Sequence, residues 1–109
     1  MNTNFLLFFS AAFFEIFGCF AFWLYFRLEK TPLWLGIGLV SLFLFAYILT
    51  KIDVEYAGRI YAIYGGIYIV MSLLWMVFVE KESINKWDMI GSSLAFLGAF
   101  IIYFGNKNI

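Results

Sequence analysis

The chain has 109 residues, of which 65% are hydrophobic, 24% are aromatic and only 13% are charged. A soluble domain of this size could not bury fifteen phenylalanines, so the composition predicts a single unit whose solvent is a membrane. Seven basic residues balance seven acidic ones, and the chain has no histidine and one cysteine. We therefore expect no nucleic-acid partner, no metal site and no cofactor.

Charged clusters divide the chain into four apolar segments: residues 4–26, 33–50, 60–79 and 89–105. Each has roughly 17–25 residues, enough to cross the hydrocarbon core as a helix. The first segment contains an acid and follows no basic residue, so we expect a retained helix rather than a signal peptide. The sequence therefore predicts an all-α, multi-pass protein of the cell membrane, with four transmembrane helices in one integral membrane domain.

Basic residues near the segment ends give almost no orientation signal. The side that holds the N-terminus has three and the opposite side has four: Lys51, Arg59 and Lys107 against Arg27, Lys30, Lys81 and Lys86. This balance favours dual topology, and a weakly determined single topology is the alternative. Four helices alone leave little room for a solute path. Two copies in opposite orientation would form an antiparallel homodimer that recreates the inverted repeat of larger transporters.

Glu15 lies near the middle of the first segment, at the predicted bilayer midplane. A charge there costs about 2.5 kcal/mol or more, and such residues usually face a cavity and have a function. Its helical neighbours are four small residues and, one turn further away, two phenylalanines: Ala11, Ala12, Gly18, Cys19, Phe8 and Phe22. This face leaves room for a cation beside the carboxylate. The alternative is a neutral glutamic acid that hydrogen-bonds a neighbouring helix.

The second segment has one deep hydroxyl, Ser41, at a depth that matches Glu15. On its own a membrane serine usually bonds the backbone or packs against another helix. Its depth makes it a candidate third member of a site with Glu15 and Tyr64. Arg59, which precedes the third segment, is interpreted as an interfacial anchor, and gating of the cavity is the alternative.

A polar and aromatic stripe follows one face of the third segment: Tyr61, Tyr64, Tyr68, Ser72 and Trp75. Tyr64 and Tyr68 are deep, and each hydroxyl needs a partner that a midplane carboxylate could supply. Tyr61 is either a pocket residue or part of an interfacial belt, and Trp75 is interpreted as packing. The adjacent glycines at 65 and 66 would permit a bend.

In the fourth segment, Gly91, Ala95 and Gly98 share one side, and Gly91, Gly98 and Gly105 recur every seven residues. Small residues on one face allow close helix approach. The segment therefore either packs within the chain or forms a dimer contact.

Three stretches resemble the YnfA family of four-helix bacterial membrane proteins, which are related to the small multidrug resistance transporters. They are "EIFGCF" with Trp23, "AGRIYAIYGGIY" with Trp75, and Asp88-x-x-Gly91. The wider group has an E-x-x-G element in its first helix, which corresponds to Glu15 and Gly18. It also has a Y-A-x-[aromatic]-x-G element in its third helix, which corresponds to residues 61–66.

The resemblance implies a small-multidrug-resistance-like bundle in the bacterial inner membrane, working as an antiparallel, dual-topology dimer that exchanges protons for a cation. By the same resemblance Glu15 binds both protons and substrate, Tyr61 and Tyr64 line the pocket, and Ser41 occupies the position of a pocket serine in guanidinium exporters. Tyr64 stands where the wider group usually has tryptophan, which implies a more polar pocket wall.

We therefore expect a proton-coupled exporter of small or lipophilic organic cations, whose partners are the lipid bilayer, a second copy of the chain, the cation and protons. The alternatives are a small dual-topology ion channel and a structural or regulatory membrane subunit. The sequence has no nucleophile–base arrangement and no glycine-rich phosphate loop, so we expect no enzymatic activity.

Overall fold

The computed structural model describes residues 2–107 and contains four α-helices. They are α1 (Asn2–Phe26), α2 (Leu33–Leu49), α3 (Ala57–Phe78) and α4 (Lys86–Lys107). The prediction of an all-helical chain with four helices is confirmed. α3 and α4 each begin three residues before the predicted segment, because a helix can continue beyond the apolar residues that define the segment, here through residues 57–59 and 86–88.

Three of the helices are long and apolar enough to cross a membrane: α1, α3 and α4. α2 is also apolar but has 17 residues, so it rises about 26 Å. It ends at Leu49, one residue before the predicted boundary, where the amide of Thr50 bonds the Tyr47 and Ile48 carbonyls. The lengths and hydropathy of these helices show a multi-pass membrane protein.

The helices form two compact units, residues 1–52 and 53–109. In the first, the N-terminal hairpin, α1 packs on α2, and in the second, the C-terminal hairpin, α3 packs on α4. In the N-terminal hairpin, the two helices come into close contact at two glycines. A Cβ placed on Gly38 would lie 3.0 Å from the Gly18 carbonyl oxygen, and one on Gly18 would lie 2.9 Å from Leu42 Cγ.

In the C-terminal hairpin, α3 and α4 come into close contact at Gly66. A Cβ there would lie 2.5 Å from the Ala95 carbonyl oxygen and 2.6 Å from Ala99 Cβ. The neighbouring Gly65 makes no such contact, since no atom of residues 2–107 outside its chain neighbours and the backbone of its own helix lies within 4 Å of its Cβ position. One member of the glycine pair, Gly66, therefore contacts α4 closely, within a helix that continues to Phe78.

The glycines of α4 do not take part in this contact. Within residues 2–107, no atom of another helix lies within 4 Å of a Cβ placed at Gly91, Gly98 or Gly105. α4 packs on α3 through Ala95 and Ala99 instead. Of the three small residues predicted on one side of α4, Ala95 is the one seen in contact with Gly66 of α3.

α1 and α3 end in the same way. The Trp23 carbonyl accepts the amides of Arg27 and Leu28 at 2.8 and 3.3 Å, and the Trp75 carbonyl accepts those of Val79 and Glu80 at the same distances. After each of these helix ends the chain turns through a residue in the left-handed region. This residue is Glu29, at φ 56°, after α1 and Lys81, at φ 63°, after α3. A left-handed residue of this kind redirects the chain and ends a helix.

α4 begins with a reciprocal cap. The Asp88 amide donates to Asn85 Oδ1 at 2.8 Å, and the Asn85 amide donates to Asp88 Oδ2 at 3.2 Å. This exchange satisfies two backbone donors that a helix start leaves unpaired. It gives Asp88, part of the Asp88-x-x-Gly91 pattern, a structural role.

Candidate functional site

Glu15 lies half-buried in the middle of α1 and is the only charged residue of that helix. The small residues beside it are buried, with Ala11 and Ala12 completely inaccessible. Gly18 contacts α2, so the backbone of α2 approaches α1 one turn after the acid. Cys19, the fourth small residue of the predicted face, is exposed.

Ser41 is buried, at 4% exposure, between α1 and α2. Its hydroxyl donates a 2.7 Å hydrogen bond to the carbonyl of Phe14, the residue before Glu15. This is the backbone-bonded arrangement that the sequence left open for Ser41. Because the proton is used in this bond, the oxygen retains only its acceptor capacity for any further partner.

A groove of about 580 Å³ lies beside Ser41, and we refer to it as the α1–α2 groove. From α1 it is lined by Phe13, Phe14 and Phe17. From α2 it is lined by a stripe with helical spacing that starts at Leu33 and ends at Leu44: Leu33, Gly36, Ile37, Val40, Ser41 and Leu44. This groove was not predicted from the sequence, although the spacing of Gly36 and Ser41 among the large side chains of α2 could have indicated it.

The C-terminal hairpin brings two of the predicted tyrosines together. Tyr64 is buried, at 7% exposure, and Tyr68 is half-buried, and their ring centroids are 5.9 Å apart at an interplanar angle of 41°. Tyr61, one turn before Tyr64, is 60% exposed. The stripe thus divides into a deep tyrosine pair and an outer tyrosine.

Cations stack on aromatic rings near the ends of the helices. The Arg27 guanidinium lies 4.3 Å from the Trp23 ring centroid, and the Lys51 and Lys86 ammonium groups each lie 5.0 Å from a ring, Tyr47 and Trp87 respectively. Arg59 lies 6.0 Å from the ring of Tyr56 and is exposed. Such pairs suit a membrane interface, where an amphipathic ring and a basic side chain both have a polar end in water.

Away from the helix ends and loops, the chemistry available in residues 2–107 is that of one acid, Glu15, and several hydroxyls. Within residues 2–107, no group of three or more cysteine, aspartate or glutamate side chains could hold a metal ion. A carboxylate with aromatic and hydroxyl groups can bind a proton or an organic cation.

A sequence model of the family described as "Uncharacterised BCR, YnfA/UPF0060 family" matches residues 1–108. The chain belongs to the YnfA/UPF0060 family. The resemblance noted in the sequence is therefore confirmed over nearly the whole chain.

Relatives in this family are named as membrane proteins. A UPF0060 membrane protein of Brucella anthropi is 51% identical over 105 residues, which cover 96% of this chain and 99% of the relative. One from Ectopseudomonas mendocina is 49% identical over 105 residues, with 96% of each chain covered. One from Zymomonas mobilis is 54% identical over 97 residues, covering 89% and 91%. No solved structure shows a significant match to the chain.

Membership in this family and the three long apolar helices place the chain in a membrane as a multi-pass protein.

Proposed function

We propose that this YnfA/UPF0060 protein is a proton-coupled exporter of small or lipophilic organic cations, in which Glu15 alternately binds protons and substrate. The observation that carries the proposal is the position of Glu15, half-buried in the middle of a 25-residue helix that has no other charged residue. An acid at this depth is costly unless it has a function.

The immediate surroundings of Glu15 support a binding role. Cys19, one turn after the acid, is small and exposed, so a cation can approach the carboxylate on that side, whereas the other small neighbours are buried in helix packing. The Ser41 hydroxyl fixes the carbonyl of the preceding residue, Phe14, at 2.7 Å and so restrains the backbone that carries the acid. A restrained backbone keeps the carboxylate in one place for two competing ligands.

Tyr64 and Tyr68 are proposed as the substrate wall. Tyr68 is half-buried and can offer a ring face against which an ammonium or guanidinium group rests, and the buried ring of Tyr64, 5.9 Å away, supports it. Tyr61 is more exposed and is proposed to contact substrate at the entrance, near the interface.

The working unit is proposed to be an antiparallel homodimer with the shape of a small multidrug resistance transporter. The near balance of basic residues, three against four, supports insertion in both orientations. The glycines of α4 support a helix contact between copies, because Gly91, Gly98 and Gly105 leave open space along that helix.

The proposed cycle uses one site for two competing ligands. A cation that enters from one side displaces protons from the pair of Glu15 carboxyls, the dimer reorients, and protons from the other side then displace the cation. In each half of the cycle the dimer reorients only when protons or a cation occupy the site, so the proton gradient drives export. No residue is proposed to catalyse a chemical reaction.

Proton release tests the assignment of Glu15. In weakly buffered detergent solution, adding tetraphenylphosphonium or guanidinium should release protons from the wild-type protein and none from Glu15→Gln. Glu55→Gln, a change of an exposed carboxylate between α2 and α3, is the matched control and should retain the release. Unchanged release from Glu15→Gln would refute the site.

Liposome flux separates an exporter from a channel. Exchange should saturate with cation concentration and follow an imposed pH gradient. Flux that rises linearly with concentration and ignores the pH gradient would assign a channel instead.

A further inference from the structure

The α1–α2 groove lies on a different face of α1 from Glu15. Its α1 side is formed by Phe13, Phe14 and Phe17. At 3.6 residues per turn, Glu15 points about 150° away from the mean direction of these three side chains. The groove is thus separate from the acid and requires its own explanation.

The lining of the groove suits hydrocarbon rather than a cation. None of the residues that line it is charged, and Ser41 is the one polar side chain among them. The Ser41 hydroxyl proton is already given to the Phe14 carbonyl. An apolar ligand would therefore gain burial in the groove without leaving a polar group unpaired.

The length of the groove matches one leaflet of a bilayer. From Leu33 to Leu44 it extends about 16 Å along α2, at 1.5 Å per residue. Half of a typical hydrocarbon core is about 15 Å. Leu33 is the first residue of α2, so the groove begins at the end of the apolar segment and reaches the depth of the midplane.

The loop that leads into the groove at Leu33 has a net positive charge. Lys30 precedes Leu33 by three residues, a span of at most about 10 Å of chain, and is exposed. Arg27 is exposed in the same loop, so the loop of Arg27, Glu29 and Lys30 has a net positive charge. Trp34, whose ring lies 6.5 Å from that of Phe17, adds an amphipathic side chain at the same level.

We propose that the α1–α2 groove binds one acyl chain of an anionic phospholipid, whose phosphate lies beside Lys30. The groove supplies apolar contact over the depth of one leaflet, and the loop supplies the charge that selects the headgroup. A bound chain would cover the apolar surface that Gly36 and Val40 leave open.

Two adjacent residues of α2 provide a matched test. Val40 lines the groove and Leu39 does not, yet both are 62% exposed. A tryptophan at either position projects from the surface and leaves the packing of α1 on α2 intact, but only Val40→Trp fills the groove. The protein is reconstituted in phosphatidylcholine vesicles with a trace of spin-labelled phosphatidylglycerol, and immobilised chains are counted by electron paramagnetic resonance.

We expect Val40→Trp to lose one immobilised chain per protomer and Leu39→Trp to lose none. Lys30→Gln should lower the preference of this chain for phosphatidylglycerol over phosphatidylcholine by about five-fold, the effect of one basic residue beside an anionic surface. Lys86→Gln, at the start of α4, should leave the preference unchanged. Equal counts in the wild type, Val40→Trp and Leu39→Trp would overturn the proposal.

Two other occupants would also overturn it. If Val40→Trp converts dimers to monomers without changing the lipid count, the groove is covered by a second copy. If a long-chain quaternary ammonium ion displaces the labelled chain only when Glu15 is present, the groove holds a substrate tail. The lipid site does not depend on antiport, because Glu15→Gln should leave the lipid count unchanged whatever it does to proton release.

Discussion

The first helix of each hairpin ends with the same backbone hydrogen bonds, but the residues at the helix–helix contacts differ between the hairpins. Trp23 and Trp75 are 52 residues apart, and so are the two left-handed residues, Glu29 and Lys81. The N-terminal hairpin is closed by glycines on both helices, Gly18 and Gly38, whereas the C-terminal hairpin has one glycine against two alanines.

The difference extends to the chemistry of the two hairpins. The N-terminal hairpin carries the acid and the backbone-bonded Ser41, and the C-terminal hairpin carries the tyrosine pair. Two hairpins with the same helix ends thus differ in the side chains between those ends. Helix termination depends on local backbone bonding, so it tolerates these differences in the interior.

The contact at Gly66 should give the largest stability effect. Gly66→Ala puts a Cβ within 2.5 Å of the Ala95 carbonyl oxygen, and overpacking of this kind typically costs about 1–3 kcal/mol. Gly65→Ala is the adjacent control in open space and should stabilise the helix by up to about 1 kcal/mol. Thermal unfolding in detergent should show the two variants changing in opposite directions, and equal shifts would contradict the close α3–α4 contact.

The Ser41 hydrogen bond should give an intermediate effect. Ser41→Ala removes the bond to the Phe14 carbonyl and should cost about 0.6 kcal/mol, the average for such bonds between membrane helices. Ser93, 52 residues later, is exposed on α4, so Ser93→Ala should change the free energy of unfolding very little. Denaturation of both variants in the same micelles measures the difference, and a larger effect at Ser93 would count against the assigned role of Ser41.

Substitutions at the two left-handed residues should give the smallest changes in stability, and these changes should be similar in the two hairpins. Glu29→Gly and Lys81→Gly each place glycine where the chain adopts a positive φ, so each should stabilise the protein by about 0.5 kcal/mol. Separate melting curves test both changes. A gain at one position and a loss at the other would show that the two turns are not equivalent.

The helices could be predicted from the sequence because bilayer thickness limits how short an apolar crossing can be. Their ends were harder to place. α4 starts at Lys86 because the side chains of Asn85 and Asp88 each accept a hydrogen bond from the backbone amide of the other residue. A hydropathy profile does not show such bonds. The left-handed turns at Glu29 and Lys81 occur without glycine, so the usual residue signal for a helix end was absent.

The contacts of the candidate site could not be predicted from the sequence, although the place of Glu15 within α1 and the spacing of Tyr64 and Tyr68 along α3 could. Which glycine of the pair at 65 and 66 meets α4, and which atom the Ser41 hydroxyl bonds, depend on how two helices pack and rotate against each other. One sequence alone does not specify that rotation.

The lengths of the helices in the N-terminal hairpin have a consequence for where the protein resides. α1, with 25 residues, rises about 38 Å, whereas α2, with 17, rises about 26 Å, so they bracket a typical hydrocarbon core of about 30 Å. If both cross the bilayer, the longer helix relieves its hydrophobic mismatch by tilting and the shorter one by drawing the leaflets together. Thickening the membrane would relax one helix while it strains the other, so this hairpin has a preferred bilayer thickness.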